Sequence, residues 1–192
     1  MKLILNFFIL TLITSCSSEQ LKLNQYHKYP VKFAKKIVVY PDETFSLSLP
    51  LDWEWKVENF EEVEEINIGI DAISKPDTKN FINVISIQKG KGYTSKKNLS
   101  SEYNFILEKL KQDSKLKIIE FGKTNFIKDG AYFVHTKSNS GTYGEIEMIS
   151  FIIKSDSDND FYYLNASTPR TEELNKNMAI LIQCLKTFKE KN

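Results

Sequence analysis

Three segments in the second half of the chain, at 131–137, 146–154 and 161–167, alternate with the two-residue period of β-strands. Both alternating sets of side chains are largely apolar. A sheet with one apolar face can leave the other in water, but strands apolar on both faces need cover on both. Turn chemistry assigns a register. Ser140-Gly141 reads as a two-residue hairpin turn, which puts His135 opposite Ile146 and Phe133 opposite Met148. The loop at 156–159 closes the next hairpin, with Phe151 opposite Leu164 and Ile153 opposite Tyr162. One face then carries Tyr132, Val134, Ile149, Phe151, Ile153, Tyr162, Leu164 and Ala166. The other carries Phe133, His135, Ile146, Met148, Ser150, Ile152, Tyr163 and Asn165.

Two amphipathic helices are available as cover. Leu99, Tyr103, Ile106, Leu107 and Leu110 recur at helical spacing, with Asn98 or Ser100 as N-cap. A second helix is expected over 172–189, with Leu174, Met178, Leu181, Cys184, Leu185 and Phe188 as its stripe. Earlier strands are expected where Phe45, Leu47 and Leu49 alternate with polar residues, and where Leu51, Trp53, Trp55 and Val57 do so. Others are expected at 66–74, 81–88 and 116–121. The fold class is therefore α+β: an antiparallel sheet with helices on both faces, an α/β/α sandwich. With 41% hydrophobic and 12% aromatic residues, the chain has enough apolar material for such a core.

The chain begins MKLILNFFILTLITSCSS. Lys2 precedes an apolar run at 3–13 that is too short to span a bilayer and has the flanks of a secretory signal. Ile13-Thr14-Ser15-Cys16 resembles the lipobox of bacterial lipoprotein signal peptides. That resemblance implies cleavage after residue 15 and acylation of the Cys16 thiol. Ser17, where Asp would favour retention, implies the outer rather than the inner membrane. Residues 16–36 are polar and weakly periodic and are expected to be a tether, with Tyr26, Tyr29, Val31 and Phe33 able to dock. The single globular domain is expected to fill 37–192. Removing the signal takes one Lys and no acid from 26 basic and 25 acidic residues. Such neutrality argues against nucleic acid as a partner and against a polybasic patch assisting the lipid.

The order of motifs resembles the PsbP-like superfamily. Phe45-Ser46-Leu47-Ser48-Leu49-Pro50 runs into Asp52-Trp53, a helix follows near 99–113, and Gly130-Ala131-Tyr132 opens a strand. The strand at 161–167 leads to a terminal helix closing on Lys186-Thr187-Phe188. The resemblance covers about residues 37–190 and implies that fold and a part in assembling or stabilising a membrane-associated complex. It brings no shared catalytic residues.

Chemistry is sparse. The acidic run Asp156-Ser157-Asp158-Asn159-Asp160 starts like an EF-hand loop, but Phe161 and Ser167 stand where Gly and Glu are needed. His27 and His135 come without metal-site spacing, and no nucleotide or serine-hydrolase motif is present, so no metal or cofactor is expected. On the register above, His135, Ser150, Tyr163 and Asn165 gather on one face as a candidate ligand pocket. Trp53 and Trp55 share a strand face as a candidate aromatic surface. The leading reading is a membrane-tethered, non-enzymatic envelope domain with a protein partner. The alternatives are a hydrolase-like envelope enzyme around His135 and a carrier of a small hydrophobic or glycan ligand.

Overall fold

The computed structural model describes residues 21–40, 43–58, 68–141 and 144–191. The elements in chain order are α1 (Leu23–Lys28), β1 (Lys35–Val39), β2 (Phe45–Pro50), β3 (Glu54–Glu58), β4 (Ile68–Ile73) and β5 (Val84–Gly90). They continue with α2 (Leu99–Gln112), β6 (Leu116–Thr124), β7 (Ala131–Asn139), β8 (Glu145–Lys154), β9 (Phe161–Pro169), α3 (Leu174–Leu185) and β10 (Lys189–Glu190). Seven strands make one antiparallel sheet in the order β3-β4-β5-β9-β8-β7-β6. The strands β1-β2-β10 make a second, smaller one.

Other elements pack on both faces of the large sheet, on one of them over only part of it. On one face lie Ile70, Ile85, Ile87, Ile149, Phe151, Tyr162 and Leu164, all completely buried. α3 runs along β9 and reaches β2, and α1 packs beside α3. The small sheet closes this layer: the Phe45 ring meets Tyr162 at 5.9 Å and Phe188 at 5.5 Å. On the other face α2 presents Tyr103 and Leu107 to Val134, Ile152, Phe161 and Tyr163. Tyr103 stacks on Tyr132 at 4.2 Å. α2 starts where its cap is expected, with Asn98 Oδ1 accepting from the Ser101 amide at 2.9 Å.

The structure corrects the sequence reading in three places. Residues 140–144 form a five-residue connection between β7 and β8, not a two-residue turn, with the Ser140 amide bonded to the Gly144 carbonyl. His135 therefore pairs with Ile149 and Phe133 with Phe151. A slip of three residues is odd, so every β7 side chain changes face. The β8–β9 register is as expected, with Phe151 opposite Leu164 and Ile153 opposite Tyr162.

The other two corrections lie at the ends. Leu23 and Tyr26 of α1 are core residues, so the core already includes α1, ahead of residue 37. α3 stops at Leu185, where Thr187 Oγ1 donates to the Cys184 carbonyl and accepts from the Ser48 amide. The chain then turns into β10 and pairs with β2, a contact from the far end of the sequence that local helical periodicity does not register.

Candidate functional site

α2 spans β6, β7 and β8, and among the described residues no other helix packs on this face of the sheet beside them. The register lays out what that area presents. One row across the strands reads Lys56, Asp71, Ser86, Asn165 and Ser150, and the next reads Glu54, Ile73, Val84, Ser167 and Met148. The members of both rows from β4, β5, β9 and β8 are half-buried. Ser150 and Asn165 thus stand directly opposite each other on an accessible surface.

The second row ends in a hollow of about 300 Å³ lined by Asn80, Phe81, Ile82, Val84, Ile146, Ser167 and Pro169. Phe81 and Pro169 also wall a smaller hollow of about 190 Å³, whose lining is polar: Lys75, Asp77, Asn83, Thr171, Glu173 and Asn177. Asp77 Oδ1 accepts from the Lys79 and Phe81 amides, which holds the turn that presents Phe81. Thr168 Oγ1 donates to Asn83 Oδ1 at 2.6 Å and ties the β5 entry to β9. The arrangement is a rigid, mixed polar and apolar platform with a greasy socket at one end, suited to gripping an apolar side chain or small ligand.

Of the four residues expected to form a pocket, three share this face. Tyr163 lies under α2 at its margin, buried, with its hydroxyl donating to Glu102 Oε1 at 2.7 Å. Burial and this hydrogen bond both raise the Tyr163 pKa above the usual phenol value. His135 is on the opposite face and completely buried. It donates through Nε2 to Glu147 Oε1 at 2.6 Å, and Tyr26 Oη donates to the same oxygen at 3.0 Å. All three side chains are sealed from solvent, so the His135 group pins α1 to the sheet and has no route to a dissolved substrate. Burial first, and Glu147 second, push the Tyr26 hydroxyl far above its ordinary range.

Two buried carboxylates escaped the sequence reading, and each had left a signal. Glu102 falls on the apolar stripe of α2, three residues after Leu99 and four before Ile106. Its carboxylate accepts from Tyr163 and from the Tyr93 and Thr94 amides, fastening the loop before α2. Glu147 begins the inward row Glu147, Ile149, Phe151, Ile153. A charged residue in phase with an apolar row is either misplaced or partnered, and both are partnered.

The other candidates take structural places. Trp53 is buried while Trp55 is 38% exposed at the sheet edge, so the two do not form a paired surface. Asp158 bonds Lys89 at 2.6 Å and Asp156 pairs with Lys128 at 2.6 Å. Ser155 and Ser157 donate to Glu190. Among the described residues no group of three or more His, Cys, Asp and Glu side chains is placed to hold a metal. Cys184 is buried, which pushes its thiol up to about 12 and leaves it inert. Cys16 lies outside the described residues.

This layering matches solved structures over most of the chain. Cyanobacterial PsbP from Synechocystis superposes with a TM-score of 0.56 at 8% identity, covering 84% of this chain and 95% of the other. The Saccharomyces cerevisiae Ran-binding protein Mog1p gives 0.53 at 11%, over 83% and 96%. LpqN of Mycobacterium tuberculosis, involved in cell envelope biogenesis, gives 0.54 at 14%, over 91% and 99%. The chain has the PsbP-like fold. No protein-family model and no curated protein sequence matches it, so the likeness is one of architecture. The order of elements expected for a PsbP-like domain from 45 onward is the order observed, with α1 and β1 added in front and β10 added behind.

Proposed function

We propose that this chain is a lipoprotein of the bacterial envelope, acylated at Cys16, whose PsbP-like domain binds a protein partner without catalysis. The uncovered sheet face carries the binding part of this reading. It offers two ordered rows and a socket, while the buried ionisable groups Glu102, Glu147 and His135 are occupied in holding the fold together. The Ran-binding role in the name of Mog1p and the envelope role in that of LpqN are in keeping with it. Cys16 and the apolar run before it support the tether, and Ser17 favours the outer membrane.

The test has two arms. Intact mass of the protein from cell envelopes is expected to fit a chain starting at Cys16 with added acyl groups, and Cys16→Ser abolishes the addition. A photo-crosslinker at Asn165 in intact cells recovers one stoichiometric protein, whereas the same probe at Glu108 on the outside of α2 does not. An unmodified chain retaining residues 1–15 defeats the anchor, and no adduct at Asn165 defeats the partner. The apolar lining of the 300 Å³ hollow favours a second reading, carriage of a small hydrophobic ligand, which native mass spectrometry distinguishes by a bound small mass.

A further inference from the structure

We propose that the outer surface of α1 and β1 is a membrane-docking face whose ligand is the anionic headgroup layer of the bilayer that holds the anchor. This rests on the anchor reading above and adds an orientation to it. The chain is neutral overall, but its charge is segregated. Residues 20–41 hold Lys22, Lys28, Lys32, Lys35 and Lys36 and not one Asp or Glu. Lys22, Lys28, Lys32 and Lys35 are exposed, and none forms an ion pair with a described carboxylate.

Lys186 extends the patch from α3, with Nζ 3.2 Å from His27 Nδ1 and over the Phe126 ring. Partial burial first, and then Lys186 and Lys28, hold the His27 pKa below its ordinary value. The acids that meet this segment include Glu120, whose Oε2 accepts from the Leu23 amide at 3.0 Å, the buried Glu147, which accepts from Tyr26, and Glu43, whose amide bonds the Tyr40 carbonyl.

The same segment also exposes apolar side chains. Ile37 is 74% exposed, and Val39 is exposed on the same side of β1. Leu51, 56% exposed, is bonded through its amide to the Ala34 carbonyl at the start of β1. Exposed lysines and exposed aliphatic groups in one segment are the composition that seats at a lipid headgroup boundary.

Chain length supplies the second argument. From Cys16 to Leu21 there are five residues, which span at most about 18 Å fully extended. Leu21 leads directly into α1, which is pinned through Tyr26 to Glu147 and through Leu23 to Glu120. A lipid on Cys16 therefore keeps the α1 side of the molecule close to the bilayer. A polybasic surface acts only within a Debye length, about 8 Å at physiological salt, and a leash of this length lets the surface reach that zone. α1, α3 and the small sheet lie on the opposite side of the large sheet from α2. Docking by this face therefore turns the open rows and the socket away from the membrane, toward a partner.

The experiment uses the full acylated protein in vesicles of neutral phosphatidylcholine, with or without anionic phosphatidylglycerol, containing a spin-labelled quencher lipid. A fluorophore is placed through Ile37→Cys or, as control, through Ser100→Cys on α2. Quenching at 37 is expected to exceed that at 100 severalfold in anionic vesicles, to fall with salt, and to drop to the control level in Lys28→Glu/Lys32→Glu/Lys35→Glu. Near-ultraviolet circular dichroism verifies that this variant is folded, and Lys→Gln at the same three positions serves if it is not. Equal quenching at both sites in an acylated protein overturns the orientation while leaving the anchor intact. A chain without acyl mass overturns both. Protection of residue 37 that rises with protein concentration and needs no lipid assigns the surface to a second copy and overturns the proposal.

Discussion

Glu102 concentrates more structure than any other side chain near the open face. One carboxylate takes hydrogen bonds from Tyr163 and from two consecutive amides, so a neutral amide in its place must set an NH₂ against an N–H donor. Leaving a buried donor unmatched costs about 1–3 kcal/mol. Glu102→Gln is therefore expected to lower the urea midpoint by an amount equal to about 2 kcal/mol, with the m-value unchanged. Gly92, next to that loop, has φ +77°, and an added Cβ meets Phe161 Cδ2 at 2.6 Å. Gly92→Ala is expected to destabilise by a similar amount, since both backbone and core must shift. Acid sensitivity also resides in single residues. Burial pushes Asp158 and Glu190 upward, but hydrogen bonds outweigh it: from Lys89 and the Asp160 amide to Asp158, and from Ser155 and the Asp156 amide to Glu190. Both folded pKa values are lowered, so their stabilisation is complete above the unfolded carboxylate range near ~4 and is lost as pH falls through the folded values. Asp158→Asn/Glu190→Gln is expected to flatten the acid limb of a stability–pH curve. At the alkaline end, Tyr26, Tyr162 and Tyr163 have raised pKa values, so stability falls above about pH 10, where only the unfolded chain ionises. Phenolate absorbance of these three should appear only together with unfolding.

At the scale of elements, α1 is the informative case. Six residues do not make a stable helix alone, so its helicity depends on what Leu23 and Tyr26 meet in the core. Tyr26→Phe retains the ring and loses the bond to Glu147; a loss of about 1 kcal/mol is expected, with faster hydrogen exchange confined to residues 21–34. If exchange rises evenly over the whole chain, α1 is not an independent unit. The contrast with α2 explains what could be read beforehand. α2 is 14 residues long with an Asn98 cap and a clear stripe, all local signals, and it forms where they say. α1 has only a short local signal, Gln25 bonding back to the Lys22 amide, and its partners Glu120 and Glu147 lie about a hundred residues away. β7 shows the limit of pattern alone. Both sets of its side chains suit a buried face, so alternation cannot decide which set faces which way; loop length decides, and Ser140-Gly141 suggested the wrong one.

For the whole molecule, the two covered faces differ in completeness, and that asymmetry is where function is expected. Val84 and Met148 are half-buried on the open row, so charging them removes little packing. Val84→Lys/Met148→Lys is expected to change stability by less than about 1 kcal/mol, while reducing the Asn165 crosslink to its partner at least tenfold. A crosslink that survives moves the partner elsewhere. The membrane-side and partner-side surfaces lie on opposite sides of the sheet, so Lys28→Glu/Lys32→Glu/Lys35→Glu should leave this crosslink unaltered in solubilised envelopes.

Period, capping and doubly apolar strands, all properties of neighbours in the chain, were enough to determine an antiparallel sheet between helices, the β8–β9 pairing, and the meeting of Ser150 with Asn165. Three matters were left to tertiary structure: which face His135 takes, the recruitment of residues 21–36 into the body, and the joining of β1, β2 and β10. Each depends on a free-energy difference between partners far apart in sequence. A local pattern shows that a side chain needs burial, and only the assembled core shows against what.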